Sequence, residues 1–411
     1  MIVPWPTTLS TMIVGLNPAL QKRFVLSSTT PLLIPGQVHR AESIQAGIGG
    51  KGQDVAVALS CLYQSHSDSI LLAQFLGLGL EGDTLVTLLE NQVGSSHSCS
   101  NAWTVRTQGK LRTCTTIVSQ TDATELVEPS GVVLKEEIEA LIERWINVEN
   151  YKYSTIGGLC FMGTLPHGCS STLYSTLYHE LLTHTIPLVQ PICCVVDTVV
   201  GLGPLIDSMA FHRENVDPIH SLNMMKINRN ELFHLIQQWK PQQGIILEDD
   251  CLTVQQLKHI NEDIHQIFSS SARAIDCIAI THGKSSSYLI SFLSGYNQPP
   301  MFYEYKIPNL HQLFPQIVKL YPIGAGDSVA AGTVAAWQYL KHATFQHQPL
   351  SENIQTYLNR FTDGKHWDDE VIAFAFGLAC GSASCLKQQN SILDAADVLK
   401  IVNEIQIQRL I

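Results

Sequence analysis

The sequence is poor in charge and has no long apolar segment. Charged residues make up 15% of the 411 residues. No run of about 18 or more apolar residues is free of polar interruptions, which argues against a membrane-spanning helix. The first residues lack the basic and apolar regions of a secretory signal and the arginines of a transit peptide. We therefore expect a cytoplasmic protein with no membrane partner.

The spacing that marks metal sites and disulfide frameworks is also missing. The 11 cysteines include no C-x-x-C pair, and there is no H-E-x-x-H motif. Cys193 and Cys194 lie side by side in an apolar run. Reduced thiols buried in the core of a cytosolic protein are therefore the favoured interpretation.

Positive charge is scarce. Lys and Arg number 25 against 36 Asp and Glu, which gives a net charge of −11. This balance argues against a nucleic-acid-binding surface. It also means that local lysine and arginine side chains must hold any anionic ligand, because the overall field repels it.

What the sequence does contain is 45% hydrophobic residues, enough for a large core. Short apolar runs alternate with helical patterns, which predicts an α/β fold with a largely parallel sheet covered by helices on both faces. The predicted strands are 11–17, 70–76, 112–118, 155–162, 192–197, 225–228, 274–281 and 288–293, with a small exposed sheet in 21–44. The predicted helices are 54–62, 83–91, 170–184, 231–239, one from 327, and an amphipathic helix over 370–387. Three polar stretches, near 203–224, 296–320 and 343–369, are interpreted as surface insertions.

Polar residues and glycines follow several predicted strands. They are Asn17, Gly163, Asp197, Asn228 and Gly283. Because ligands of open α/β sheets gather at the carboxyl ends of the strands, we expect one shared site at this edge. Asp197 also has a plainer interpretation, as a cap of the element that follows its strand.

The chemistry is expected in the stretch 321–332. Gly324, Ala325 and Gly326 precede an acid, Asp327, and a run of good helix formers follows. Backbone N–H groups at such a helix start favour a phosphate. An acid beside them can take a proton from a hydroxyl that attacks the phosphate. The alternative is a tight turn in which Asp327 only caps the helix.

Six motifs in order give the sequence its resemblance to the ribokinase-like (PfkB) carbohydrate kinases. Three of them point more narrowly to the branch with 1-phosphofructokinase, tagatose-6-phosphate kinase and the minor 6-phosphofructokinase. The motifs are 15–20 (Gly-Leu-Asn-Pro-Ala-Leu), 35–40 (Pro-Gly-Gln-Val-His-Arg), 49–52 (Gly-Gly-Lys-Gly), 163–168 (Gly-Thr-Leu-Pro-His-Gly), 226–231 (Lys-Ile-Asn-Arg-Asn-Glu) and 324–327 (Gly-Ala-Gly-Asp).

The resemblance implies one kinase domain over 1–411, with a Rossmann-type three-layer α/β sandwich. A small β-sheet lid would come from parts of 19–45 and 101–128. The implied small molecules are ATP, Mg²⁺ and a sugar or sugar phosphate, and the implied assembly is a homodimer through the lid.

The resemblance also implies roles for individual residues. Asp327 would be the catalytic base, and Gly324, Ala325 and Gly326 would form the anion hole. The implied ATP-binding residues are Lys226, Asn228, Thr281, Gly283 and Asn390, and Asn228 and Glu231 would order Mg²⁺ through its waters. The implied substrate-binding residues are Asn17, Gln21, Gly49, Gly50, Lys51, Asp54 and Arg112.

Four positions depart from the family pattern. Ile323 stands where the family usually has Thr, and Ser286 replaces the second glycine of the nucleotide loop. Gln21 replaces an Asp and Asp54 replaces an Asn, so an acid and an amide have exchanged places. We expect intact machinery for phosphoryl transfer and a reshaped sugar pocket.

Alternative interpretations remain at three residues. Lys51 is either a ligand contact or a solvated lysine at a helix start. Arg112 either binds a phosphate or pairs with an acid of the lid. Glu231 also suits the first turn of a helix, where the helix dipole favours an acid.

The favoured function is an ATP-dependent kinase for a primary hydroxyl of a sugar or sugar phosphate, with a ketohexose phosphate preferred. A kinase for a free sugar or a nucleoside is the second hypothesis. A non-catalytic regulatory homologue that binds a sugar or nucleotide is the third. Asp327 and Glu231 argue against this third reading, because a pure binder needs neither.

Overall fold

The computed structural model describes residues 8–26, 33–63, 69–94, 103–119, 123–151, 154–184, 186, 188–215, 221–239, 251–293, 298–345, 348–361 and 367–411. The strands are β1 (Thr8–Val14), β2 (Ala19–Leu26), β3 (Ala41–Gly49), β4 (Ile70–Gly77), β5 (Thr104–Thr107), β6 (Arg112–Val118), β7 (Ala123–Val127), β8 (Ser154–Met162), β9 (Leu188–Asp197), β10 (Ser221–Asn228), β11 (Cys277–Thr281), β12 (Ser287–Ser291), β13 (Met301–Lys306) and β14 (Gln406–Arg409). The helices are α1 (Lys51–Leu62), α2 (Leu80–Val93), α3 (Lys135–Ile146), α4 (Leu173–Thr183), α5 (Leu202–Asn215), α6 (Arg229–Trp239), α7 (Val254–Phe268), α8 (Leu310–Leu313), α9 (Ala325–Lys341), α10 (Glu352–Asn359), α11 (Asp369–Ser384) and α12 (Ala395–Val402).

The main sheet has ten strands in the order β14-β13-β12-β11-β10-β9-β8-β1-β4-β5. From β11 to β5 every neighbouring pair is parallel. The strands β12, β13 and β14 extend the sheet as antiparallel strands. The carboxyl ends of the parallel strands therefore share one edge, which is where ligands are expected.

Helices cover both faces of this sheet. Helices α1, α2 and α9 to α12 contribute to the core on one face. Helices α3 to α7 contribute to the core on the other. The predicted three-layer α/β sandwich is confirmed. Within the described ranges, no helix combines the length and the apolar character that crossing a membrane requires.

A second, smaller sheet has the order β3-β2-β6-β7, and we call it the lid sheet. Its central strands β2 and β6 are parallel, and each has an antiparallel partner at the edge. Strand β2 is mostly buried, whereas every residue of β7 is exposed. The centre of the lid sheet is therefore more covered than its edge strands.

The polar stretch 203–224 is not a surface insertion. It contains most of α5, which buries Leu205, Ile206 and Met209 against the sheet. It also contains the start of β10, a central strand. The prediction failed because the exposed Phe211 and the buried His212 break the apolar periodicity of α5.

The other two stretches also contribute to the fold. The stretch 296–320 contains β13, which pairs with β12 and β14 in the main sheet. In 343–369, α10 buries Ile354 and Leu358 against the core, while 346–347 and 362–366 lie outside the described residues. The amphipathic character predicted over 370–387 is wrong as well, because every residue of α11 is buried.

Candidate active site

Residues predicted at the strand ends do meet at one edge of the main sheet. The side chain of Asn17, just after β1, donates to the Thr164 hydroxyl, 2.9 Å away, after β8. The N–H of Gly163 donates to the carbonyl of Asp197 at the end of β9. Asn228 and Thr281 are directly paired at the ends of β10 and β11. The expected convergence is therefore present.

A cluster of opposite charges occupies this edge. Asp197 is 2% exposed and accepts from two lysines, Lys51 at 2.7 Å and the buried Lys226 at 2.5 Å. Lys51 also lies 3.0 Å from Glu231. Lys51, at the start of α1, is therefore not a freely solvated lysine, because its ammonium group bridges two carboxylates.

The lysines keep Asp197 ionised. Burial alone would raise the pKa of its carboxyl, but Lys226 and Lys51 together hold that pKa below its usual value. Burial would likewise lower the pKa of Lys51, and Asp197, Asp327 and Glu231 raise it instead. Each charge thus depends on its neighbours for the ionised state.

Close backbone contact positions the start of α1. A Cβ atom on Gly15 would lie 2.6 Å from the Cα atom of Gly52, a distance that real side chains do not tolerate. Glycine at both positions therefore lets the end of β1 touch the first turn of α1. The contact explains in part why the Gly-Gly-Lys-Gly motif needs its glycines.

Asn228 and Glu231 lock the start of α6. The N–H of Asn228 donates to the Glu231 carboxylate at 3.1 Å, and the N–H of Glu231 donates to the Asn228 amide oxygen at 2.8 Å. This reciprocal pair satisfies two donors that the helix leaves unused. Glu231 is therefore a first-turn acid of α6, and its carboxylate also contacts Lys51 of the charge cluster.

Asp327 sits in the first turn of α9, preceded by a left-handed Gly324 with φ of 81°. The N–H of Ala325 donates to the Pro322 carbonyl at 3.1 Å, so it closes a turn instead of facing an anion. The first-turn N–H groups that the helix does not use are those of Gly326 and Asp327. Of the predicted anion-hole residues, Ala325 therefore has its N–H engaged, whereas that of Gly326 is not used by the helix.

The acid itself is poised for proton transfer. Burial raises the pKa of Asp327 to about 7, while Lys51 and Lys226 pull that pKa down and Asp197 and Glu231 push it up. A carboxylate with a pKa near neutrality is well matched to general-base work at physiological pH. Asp327 therefore differs from an ordinary helix cap.

A loop after α11 covers the start of α9. Ser391, itself in a left-handed conformation with φ of 55°, donates its hydroxyl to the Gly324 carbonyl at 3.0 Å. A Cβ atom on Gly324 would lie 2.5 Å from that hydroxyl oxygen. Asn390 packs on the same glycine, so this predicted ATP-binding residue lies beside the Gly-Ala-Gly-Asp loop.

Gln21 and Asp54, the exchanged amide and acid, both lie near this loop. The Gln21 side-chain amide donates to the Thr116 hydroxyl in β6, and its oxygen lies near Gly49. The buried Asp54 lies near Ser391, and burial followed by the charge of Asp327 raises the pKa of its carboxyl. Within the described residues, the Oδ1 atom of Asp54 has no hydrogen-bond partner.

Arg112, the predicted phosphate ligand, contacts the backbone next to β1. Its guanidinium donates to the backbone carbonyls of Asn17 at 2.8 Å and Pro18 at 3.3 Å. Among the described residues Arg112 forms no ion pair with an acid of the lid sheet, and two of its nitrogens hold the turn between β1 and β2. Two predicted glycines lie next to the elements named for them. Gly50 immediately precedes α1, and Gly283, with φ of 52°, follows β11.

Sequence reasoning undervalued Asp197 and overlooked Arg23. The sequence places Asp197 among the strand-end residues but also as a cap, and it is absent from the predicted binding residues, although it accepts from two lysines at the end of β9. Arg23 is two residues beyond Gln21 in β2 and is only 5% exposed. Strand alternation places the two side chains on one face, and this signal could have found Arg23.

The oxygen donors suit a hydrated Mg²⁺ ion. Mg²⁺ with a nucleotide typically uses one or two carboxylates, with waters and phosphates completing its shell. The partly exposed Glu231 carboxylate and Asp327 supply such donors at the sheet edge, beside Asn228. Among the described residues, no group of three or more metal-ligating side chains forms a closed site. The donor set therefore fits a shared, substrate-assisted ion.

No family model matches the sequence. The fold matches solved structures over nearly their whole length. Phosphofructokinase-2 from Escherichia coli in complex with substrates and products has a TM-score of 0.63 at 17% identity, covering 96% of this chain and 99% of that chain. A possible 1-phosphofructokinase from Thermotoga maritima has a TM-score of 0.62 at 16% identity, covering 98% and 100%. Ribokinase from Thermotoga maritima has a TM-score of 0.54 at 12% identity, covering 96% and 99%. The predicted ribokinase-like fold is confirmed.

Proposed function

We propose that the protein is an ATP-dependent kinase that phosphorylates a primary hydroxyl of a sugar or sugar phosphate, with a ketohexose phosphate favoured. The observation that carries the proposal is Asp327, a half-buried acid with a pKa of about 7 at the first turn of α9. Two lysines of the neighbouring cluster act on this acid. The named activities of the structural neighbours agree with this chemistry.

Each part of the site has a role in the proposed reaction. Asp327 accepts the proton of the acceptor hydroxyl as its oxygen attacks the γ-phosphorus of ATP. The new O–P bond forms as the bond to the β-phosphate oxygen breaks, and ADP leaves. The N–H groups of Gly326 and Asp327 stabilise the charge on the transferred group.

The charge cluster prepares the site for a highly anionic donor. Lys226 lies 3.6 Å from the position that a Cβ atom on Gly326 would occupy, so its ammonium group is beside the start of α9. Asp197 fixes Lys226 and Lys51 in place. Glu231 and Asn228 would hold Mg²⁺ through its waters. When bound, Mg²⁺ neutralises phosphate charge.

A free sugar as acceptor is a second candidate that one observation favours. Arg112, the expected phosphate ligand, already donates to two backbone carbonyls. A non-catalytic homologue fits less well, because a binding protein gains nothing from a carboxyl with its pKa held near neutrality.

A homodimer through the lid sheet is part of the proposal. One face of the lid sheet exposes Ile44 and Leu126 by 62% and 58%. Burying such side chains against a second copy would stabilise an interface. Sedimentation of the protein and of Leu126→Lys tests this: a dimer should become a monomer in the variant.

An acceptor screen tests the function. ATP consumption is measured with fructose 1-phosphate, fructose 6-phosphate, tagatose 6-phosphate, free hexoses, ribose and nucleosides. At least one sugar or sugar phosphate should raise ATP consumption well above the background without acceptor. No stimulation by any of these acceptors would contradict the proposal.

A further inference from the structure

A cavity of about 160 Å³ lies between the lid sheet and the loop that covers α9. Its one charged lining residue among those described is Arg23, and none of the lining side chains is acidic. Carboxamides, which both donate and accept hydrogen bonds, dominate the rest of its polar wall. They are Gln21, Gln45, Asn91, Gln92, Gln389 and Asn390.

The Arg23 side chain is fixed by a hydrogen bond, but not all of its guanidinium donors have a partner. One guanidinium nitrogen donates to the Asn390 amide oxygen at 2.5 Å, which joins the lid sheet to the loop beside Gly324. The Nε atom is buried and has no hydrogen-bond partner among the described residues. A buried unpaired donor is costly unless a ligand completes it.

A second cation reinforces the positive character at this point. Arg23 and Lys319 lie 5.9 Å and 5.8 Å from the ring centre of Tyr321, just before the Gly-Ala-Gly-Asp loop. Lys319 donates to the Ser119 carbonyl at 2.5 Å, so its position is also fixed. Neither Arg23 nor Lys319 forms an ion pair among the described salt bridges. Two such fixed cations favour the binding of an anion between the lid sheet and the loop.

The cavity at Arg112 is different. It has a volume of about 20 Å³, and about 10–15 Å³ is needed for a single water molecule. It is smaller than the cavity at Arg23, and two of the Arg112 nitrogens donate to the carbonyls of Asn17 and Pro18. The larger cavity at Arg23 offers both the space and the unused donor.

We infer that the acceptor of this protein carries an oxyanion, a phosphate or a carboxylate, and that Arg23 binds it in the carboxamide-lined cavity in place of Arg112. Arg23 is then a specificity-determining residue that sequence motifs do not reveal. This inference rests on the proposed function only in calling the bound molecule the acceptor. The location of the cavity and the class of ligand that it binds are argued from geometry alone.

The test is equilibrium binding without nucleotide, so it does not depend on turnover. Calorimetry measures Kd for fructose 1-phosphate, fructose 6-phosphate and gluconate, each against the uncharged fructose or glucose. The wild type should bind at least one anionic member at least about tenfold more tightly than its uncharged counterpart. Arg23→Gln should remove that preference, a loss of roughly 10- to 100-fold that matches one hydrogen bond to a charged group.

Three further variants make the result specific. Arg23→Lys keeps the charge and should retain part of the preference. Lys22→Gln removes a charge from the opposite face of β2 and should leave Kd unchanged. Arg112→Gln should change Kd by less than about threefold. Loss of the preference in Arg112→Gln but not in Arg23→Gln would overturn the inference, as would a wild type that binds charged and uncharged members equally.

The binding measurements also distinguish a phosphate ligand from a carboxylate ligand. They further distinguish the inference about Arg23 from the proposed kinase function. Tighter binding of gluconate alone identifies a carboxylate, and tighter binding of a fructose phosphate identifies a phosphate. If these ligands bind through Arg23 but ATP is never consumed with them, the inference holds and the proposed kinase function fails.

Discussion

The ammonium group of Lys51 lies 2.7 Å from the carboxylate of Asp197, although 146 positions separate the two residues in the sequence. The contact joins the start of α1 to the end of β9. It places a cation within electrostatic reach of Asp327 and makes Asp197 the shared partner of two lysines.

Replacing Asp197 by Asn should destabilise the protein. Lys226, whose side chain is 4% exposed, would lose its ion-pair partner and remain buried as an uncompensated charge. Breaking such a buried pair costs roughly 3–5 kcal/mol. Urea unfolding should show this loss in the free energy of unfolding. The matched control is Asp207→Asn on the exposed side of α5, which should change it by less than about 0.5 kcal/mol. Equal stability of both variants would show that Lys226 does not depend on Asp197.

The rate should follow the ionisation of Asp327. Burial raises its pKa to about 7, and only the deprotonated carboxylate can accept a proton. As the pH falls through about 7, kcat/KM should therefore decline, reaching roughly a tenth of its plateau one unit below. Asp327→Asn is the control: its residual kcat/KM should not show this acid limb, the decline as the pH falls through about 7. A wild-type profile that stays flat between pH 5.5 and 8 would exclude Asp327 as the titrating base.

Removing the charge of Lys51 should move this acid limb to higher pH. Lys51 favours the ionised form of Asp327, so Lys51→Gln makes the carboxyl harder to deprotonate. The pH dependence of kcat/KM for both proteins measures the displacement. Lys135→Gln removes an exposed lysine of α3 and should leave the limb in place. A limb that moves to lower pH in Lys51→Gln would have the wrong sign for this account.

Glu231→Gln should weaken the dependence on Mg²⁺ more than it affects the acceptor. Glutamine can still accept from the Asn228 N–H, so the start of α6 is preserved while the charge is lost. Loss of an outer-shell group typically lowers metal affinity roughly 10- to 100-fold. Titrating Mg²⁺ at saturating acceptor should show the shift, with acceptor KM changed less than about twofold. Glu352→Gln, a first-turn acid of α10, is the control. An unchanged Mg²⁺ requirement would leave Glu231 as a helix-start acid only.

Local patterns predicted most of the fold and the strand ends of the site. Alternating apolar runs gave the order of strands and helices, and parallel strands must bring their carboxyl ends to one edge. Asn17, Asn228 and Thr281 could therefore be placed together without tertiary information. The reciprocal pair of Asn228 and Glu231 is equally local, because three residues separate its members.

Long-range pairing was beyond the sequence pattern. Nothing local shows that Asp197 joins Lys51 and Lys226, or that Arg23 reaches Asn390 across 367 positions. The prediction that α11 has an exposed face was wrong for a related reason. The elements that pack around a helix decide how much of it is buried, and α11 is buried on all sides. In the same way, the engagement of Arg112 by backbone carbonyls depends on how the turn after β1 folds back.

The central claim is that Asp327 is the base of a phosphoryl transfer, and Asp327→Asn tests it most directly. Asparagine keeps the shape of the side chain but cannot accept the proton. We measure kcat for ATP-dependent phosphorylation of the best acceptor and the affinity for ATP in both proteins. The account predicts kcat lower by roughly 10²–10⁴-fold with ATP affinity nearly intact. A variant that keeps more than about a tenth of the wild-type kcat would contradict it.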